Sequence, residues 1–222
     1  MNGELNLDVS QNKRGTAARS EVYKILSNIF TYPLNEDQKD FVMHGAELAL
    51  LDAAAQLPFG VPAIDSLGRT HTTPAADAED IQVTYSTLFD NCAGRPVLSL
   101  HEKDYSKNDR KQIWEDLIRF YEHFGVIYNL KDCKEWPDHI GIQLEFLHYL
   151  TFLEAGTPDD EIDVYVAAES DFLERHVAEW VPKFSEKLQA MADGSPYGTL
   201  AQVLSQFVEE EKTFNRQRRT VQ

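Results

Sequence analysis

Apolar positions recur at helical spacing along most of the chain. Val22, Ile25, Leu26 and Ile29 fall at i, i+3, i+4 and i+7, one stripe of a helix that Pro33 ends. Asn35, followed by Glu36 and Asp37, sets a capping side chain and two acids at a helix start. The Ala- and Leu-rich stretch to about Leu57 reads as one or two helices. Residues 58–76 hold Pro58, Gly60, Pro62, Gly68 and Pro74, and predict a long surface loop. A helix over about 78–89 follows, then a second irregular stretch over 90–107 with Gly94 and Pro96 ahead of Val97, Leu98 and Leu100.

The second half is more regular. Asn108 is placed to cap a helix carrying Ile113, Trp114, Leu117, Ile118 and Tyr121, with Gly125 to stop it. Pro137 opens a helix whose apolar residues (Ile140, Leu144, Leu147; Phe146, Leu150, Leu153) cover two adjoining stripes, which predicts a central position. Gly156 and Pro158 break the chain, Asp159, Asp160 and Glu161 start the next helix, and Pro182 interrupts or kinks it. Leu200, Val203, Leu204 and Phe207 mark the last helix. Nothing alternates with period two for long enough to make a sheet. The expectation is an all-α fold, a single domain of about eight to ten helices over 15–215 behind a mobile polar tail at 1–14.

Charge and composition narrow the function. The 222 residues include 37 acids and 21 bases, a net charge of −16, which argues against nucleic acid as the main partner. An acidic surface suits a cationic partner. Cys92 and Cys133 form no CxxC pair and no disulfide framework, consistent with a reducing cytosol. No apolar run is long enough to span a membrane, and the N-terminus lacks the basic-then-apolar order of a secretory signal. Nucleotide-loop, zinc-helix and nucleophile-elbow motifs are absent. Ser10-Gln11-Asn12-Lys13 matches SxxK but sits in the polar tail. Glu145-Phe146-Leu147-His148 is one copy of the Glu-x-x-His element of di-iron bundles, which need a second copy. His176 and Glu179 run in the reverse order. The bland reading makes Glu145 and His148 surface or local hydrogen-bonding residues, and no metal ligand or cofactor is assigned.

One run is specific. Glu135-Trp136-Pro137-Asp138-His139-Ile140, followed by Leu144-Glu145-Phe146-Leu147, resembles the signature of the TorD/DmsD/NarJ family, dedicated chaperones of molybdenum-cofactor oxidoreductases. Arg19, Val22, Tyr23, Leu26, Phe30, Tyr32 and Pro33 are similar to that family's first helix. Tyr85, Leu88, Phe89 and Asp90 are similar to its Tyr-x-x-Leu-Phe element, and Leu100, Glu102 and Tyr105 to the loop after it. Phe172, His176, Trp180, Pro182 and Phe184 resemble its His-x-x-x-Trp region. Within the family, the chain looks most like chaperones of the dimethyl sulfide, ethylbenzene, chlorate and selenate enzymes.

The resemblance implies an all-helical fold without catalytic turnover. It implies a cytoplasmic protein that binds the N-terminal leader of an apo catalytic subunit, holds it until the molybdenum cofactor is inserted, and delays twin-arginine export. Some family members bind guanine nucleotide weakly and some form domain-swapped dimers; the residues of this chain assign neither property, and monomer and swapped dimer both stay open. A metal-dependent di-iron bundle enzyme and a helical adaptor unrelated to molybdenum are the alternatives.

The residues of the signature carry two readings. Pro137 is pre-set for a first helical turn, and Asp138 and His139 then lie at the positive end of the dipole. One reading makes this a helix start alone; the other, warranted by the family, puts Asp138 and His139 at a leader-binding groove. The candidate leader contacts are Tyr23, Leu88, Phe89, Val97, Leu98, Leu100, Glu135, Trp136, Pro137, Asp138 and His139. Leu144, Phe146 and Leu147 read as core. Between Glu154 and Glu174 eight acids occur without a base, either a solvated helix face or the rim of the groove. The leader-binding expectation needs an apolar, acid-bordered trough beside the Pro137 corner. A corner sealed under neighbouring helices with no trough beside it would bring that expectation down.

Overall fold

The computed structural model describes residues 11–70, 80–90, 97–129, 133, 135–192 and 195–220. Among these, ten α-helices occur in chain order: α1 (Gln11–Ile29), α2 (Glu36–Asp40), α3 (Ala46–Ala54), α4 (Pro62–Thr70), α5 (Ile81–Phe89), α6 (Arg110–His123), α7 (Ile140–Gly156), α8 (Asp163–Phe172), α9 (Val181–Met191) and α10 (Pro196–Thr220). Single π-helical turns join α2 to α3 at Phe41–Gly45 and follow α8 at Leu173–Val177. No described residue belongs to a sheet; His101 and His139 form one isolated antiparallel bridge. The all-α expectation therefore holds.

The central pairing is α1 against α7, with α10 closing over α8 and α9. Sequence pattern explains it. Val22, Leu26 and Ile29 on α1, and Leu144, Leu147 and Leu150 on α7, are fully buried at successive turns. Phe30, Phe89, Phe184 and Tyr197 cluster where α1, α5, α9 and α10 meet, mostly edge to face.

Several boundaries differ from expectation. The helical body starts at Gln11 and runs to Thr220, wider at both ends than 15–215; residues 1–10 of the expected tail lie outside the described residues. Helix α4 occupies much of the expected 58–76 loop. Its Pro62 sits at the first position, where a missing N–H costs nothing, and Val61, Ile64 and Leu67 are buried at helical spacing. Asp80, not a residue near 78, caps α5 by accepting from Gln82 N, and Asp109 rather than Asn108 caps α6 by accepting from Lys111 N. Pro182 lies in the first turn of α9, so it opens that helix after the π turn. Cys92, Gly94 and Pro96 lie outside the described residues.

Candidate functional site

The Pro137 corner is built differently from a proline-opened helix. Helix α7 starts at Ile140, and its cap is His139, whose ring Nδ1 accepts from Gly141 N at 3.1 Å. Pro137 and Asp138 form the turn before it, closed by His139 N donating to Trp136 O at 3.0 Å. A histidine can cap only through an unprotonated ring nitrogen, and the corner enforces that state. Burial, with the neighbouring His101, pulls the His139 pKa down to about 3. Gly141 leaves room for this cap: an added Cβ would lie 3.1 Å from both His139 Nδ1 and Thr31 Oγ1, a tight fit to which those side chains would have to yield.

Asp138 is wholly enclosed, at 0% exposure. Its Oδ1 accepts from Trp114 Nε1 at 2.8 Å and its Oδ2 from Lys103 N at 3.2 Å. His101 Nδ1 lies 3.4 Å from Oδ1, an ion-pair distance without hydrogen-bond alignment. Burial pushes the Asp138 carboxyl up, but His101, the Lys103 amide and the Trp114 indole together outweigh it and leave it below the usual range. Asp138 is thus neither a helix cap nor a surface acceptor. It ties the 97–105 segment to α6 and to the start of α7. The tie is reinforced by Glu102 N to Asp138 O (3.0 Å) and Ile140 N to Leu100 O (2.8 Å).

A second buried chain runs behind this strap. Trp180 Nε1 donates to Gln143 Oε1 (3.1 Å), and Gln143 Nε2 donates to Glu102 Oε2 (2.6 Å). His176, projected by the π turn, bridges Glu102 (Nδ1 to Oε2, 3.2 Å) and Asp116 (Nε2 to Oδ2, 3.0 Å). Burial raises the Glu102 carboxyl above its ordinary value despite these contacts. Strap, α6, α7 and the π turn are therefore fixed together, and the strap sits as a rigid wall.

The sequence-predicted contacts separate into two sets. Tyr23, Leu88, Phe89, Leu98, Leu100, Pro137, Asp138 and His139 are buried, and of these only Leu98 lines the groove described below. Tyr23 packs on Phe207 in the core, its hydroxyl inside the polar cluster around Arg19 rather than at a groove. Val97 (55% exposed) and Trp136 (45% exposed) reach the surface, with Glu135 half-buried beside them in sequence. Trp136 stacks on Trp114 at 4.6 Å. The corner itself is sealed. A separate groove of about 610 Å3 lies across the strap, lined by Val97, Leu98, Ser99, Tyr105 and, from α9, Met191. Its polar border is Asp104 and Lys187, one acid and one base, not the acidic rim expected. Pattern reading missed Tyr105, Lys187 and Met191 as groove residues because they come from a loop and from a helix about ninety residues away. Asp138 acts on this groove by holding its wall.

The acidic run is not a free rim either. Glu154 and Glu169 are buried against Arg19, which also takes Glu211 in a bidentate pair (Nε to Oε1, 2.7 Å; Nη2 to Oε2, 2.9 Å). Arg218 pairs with Glu154. Asp171 and Glu174 pair with Arg219 and Arg216 of α10, and Asp159 faces Lys13 at 3.9 Å. The run is largely a dock for α1 and α10. Glu145 is exposed and His148 contacts Ser20, so the lone Glu-x-x-His is split between solvent and a helix contact. Among the described residues no group of three or more His, Cys, Asp or Glu is placed to hold a metal ion, and no helix is long and apolar enough to cross a membrane.

Comparison with known proteins gives the family. The family described as nitrate reductase delta subunit matches residues 46–186, from α3 through α9. The chlorate reductase assembly chaperone of Ideonella dechloratans is 34% identical over 143 residues, 63% of this chain and 72% of that protein. The selenate reductase assembly chaperone of Thauera selenatis is 33% identical over the same shares. The chaperone TorD of Vibrio atlanticus is 27% identical over 85% of this chain and 90% of that protein. A crystal structure of a redox enzyme maturation protein from Archaeoglobus fulgidus covers 86% of this chain and 93% of its own, at 20% identity and a TM-score of 0.45. The chain belongs to the nitrate reductase delta subunit family, within its TorD group and on the branch of the chlorate and selenate reductase assembly chaperones.

Proposed function

We propose that this protein is a cytoplasmic assembly chaperone for the catalytic subunit of a molybdenum-cofactor reductase. The observation that carries the reading is the similarity to chlorate and selenate reductase assembly chaperones over 143 residues, together with a family match over residues 46–186 that takes in the strap and the Asp138 corner. The chain holds the apo-subunit by its N-terminal leader while the cofactor is inserted, and delays twin-arginine export meanwhile. It performs no turnover of its own.

The geometry suits that task. The groove between the strap and α9 offers Val97, Tyr105 and Met191 to an apolar leader segment, with Asp104 at its edge for a basic residue. A rigid wall limits the ordering cost of binding, so more of the apolar contact, about 25 cal/mol per Å2, appears as affinity. Titration calorimetry with the leader peptide of the organism's own molybdoenzyme catalytic subunit tests the reading. Binding by the wild type, weakened at least tenfold by Val97→Asp, is the expected result. No binding to any such leader, together with normal cofactor loading in a strain lacking the chaperone, refutes it.

A further inference from the structure

Helix α7 is apolar almost all the way round, yet only one side of it is packed against α1. Ile142, Glu145, Tyr149 and Phe152 follow at i, i+3, i+7 and i+10, one line along its outer side. Phe152 is 62% exposed, Glu145 is exposed, and Ile142 and Tyr149 are half-buried. Beside this line, the chain turns at Gly125 (φ 78°), two residues past the end of α6, and Ile127 stands 86% exposed. Between the two lies a cavity of about 260 Å3, walled by Tyr121, Val126, Tyr128, Ile142, Phe146 and Tyr149, with Glu145 at its edge. The walls are preformed: Tyr149 Oη donates to Phe124 O at 3.2 Å, and Tyr128 Oη donates to Glu135 O.

A solvent-facing helix side is normally polar, and a core side has no room for an unpaired carboxylate. This side is neither. Among the described residues Glu145 has no hydrogen-bond or ion-pair partner, and the described residues lining the cavity include no cation. A second copy of the same face would bring apolar surface but nothing for Glu145, and two chains of net charge −16 repel. An occupant that matches must be apolar and carry a positive charge next to its anchoring side chain.

We propose that this face is a second docking seat for the client subunit, separate from the Val97 groove. A large apolar side chain enters the cavity, and a neighbouring lysine or arginine of the client pairs with Glu145. The proposal rests on the chaperone reading and names where another stretch of the client is held.

The test uses the purified apo catalytic subunit and calorimetric titration of the wild type, Glu145→Lys, Glu145→Gln and Phe152→Ser. Both side chains face solvent, so the melting temperatures stay close to wild type. The expected result is at least tenfold weaker binding for Glu145→Lys, about threefold for Glu145→Gln with a shallower salt dependence, and at least fivefold for Phe152→Ser. Wild-type affinity in all three variants overturns the second seat while leaving the chaperone reading intact. Absence of binding by the wild type removes both. A wild-type dimer in sedimentation that Phe152→Ser dissolves assigns the face to a second copy and also overturns the proposal.

Discussion

At the Asp138 corner one buried carboxylate meets two N–H donors and the His101 ring; around Arg19, three buried carboxyl groups meet two guanidinium groups. The corner is balanced: Asp138 stays ionised, His139 stays neutral, and every group has a task in holding the strap. The knot is not balanced. Burial, followed by the Glu154 charge, drives Glu169 well above the ordinary carboxylate range, against the pull of Arg19, while the two guanidinium groups help hold Glu154 below that range. Glu169, 2.6 Å from Arg19, is therefore the carboxyl group of the knot that takes up a proton most readily. The difference follows from position. The corner fixes a loop beside a groove, where one carboxylate with well-aligned donors suffices. The knot gathers α1, α7, α8 and α10 at one point, and each helix contributes its own polar side chain.

The largest effect that separates them comes from Arg19→Met. It leaves Glu154, Glu169 and Glu211 buried without their central cation, and about 3–5 kcal/mol of stability is lost in denaturant unfolding. A loss below about 1 kcal/mol would mean that the carboxyl groups escape to solvent and that the knot does not hold the helices.

Asp138→Ala comes next. It strands the Trp114 indole N–H and the Lys103 amide, at a cost of about 1–3 kcal/mol. Its signature is local: faster amide exchange at 102–104 and altered Trp114 fluorescence, with α7 still helical because His139 is its cap. Leader affinity falls because the groove wall loosens. Unchanged strap exchange would show that Asp138 does not set the wall.

The two regions were legible in the sequence to different degrees. The corner's residues stood out through the family signature, but their roles did not. Pro137 and Asp138 together look like a first helical turn, and nothing local shows that Trp114 and Lys103, over thirty residues away for the latter, need an acceptor there. Burial of Asp138 is a long-range fact. The knot left a local trace. Arg19 precedes Val22, Tyr23 and Leu26 by three, four and seven residues, Glu154 follows Leu147 and Leu150, and Glu211 follows Leu204, Phe207 and Val208 on the same stripes. A charge on an apolar stripe is buried and needs a partner. Counted as members of an acidic run, Glu154 and Glu169 look solvated; set against their stripes, they point inward. Helix α4 was hidden in the same way, by the count of prolines and glycines around Val61, Ile64 and Leu67.

Glu169→Gln sharpens the comparison in the opposite direction. The amide can accept from Arg19 and donate to Glu154, reproducing the protonated acid without its ionisation. At pH 8 the variant is about 1–2 kcal/mol more stable than wild type in denaturant unfolding, although it deletes a residue 2.6 Å from an arginine. At pH 4.5 the two are equal. Destabilisation at pH 8 would show Glu169 to be ionised and the knot to be balanced after all.

The smallest effect is the pH dependence of local opening, and its sign differs between the regions. His139 has its folded pKa pulled to about 3, so its contribution is full above its unfolded value near 6.5 and is lost as pH falls from there. Asp138 is also held low, so its contribution is present above its unfolded value and lost as pH falls through the folded one. Glu169 is raised, so its contribution is full below its unfolded value and lost as pH rises through the folded one. Acid loosens the corner and base loosens the knot. Between pH 7 and pH 6 the corner loses less than about 1 kcal/mol, which amide exchange corrected for intrinsic rates resolves. Protection of the Ile140 and Gly141 amides should fall toward pH 6, while protection in α8 and α10 should fall toward pH 8. Parallel changes in both regions would mean that they open as one unit, and that the corner does not act as a separate latch on the groove.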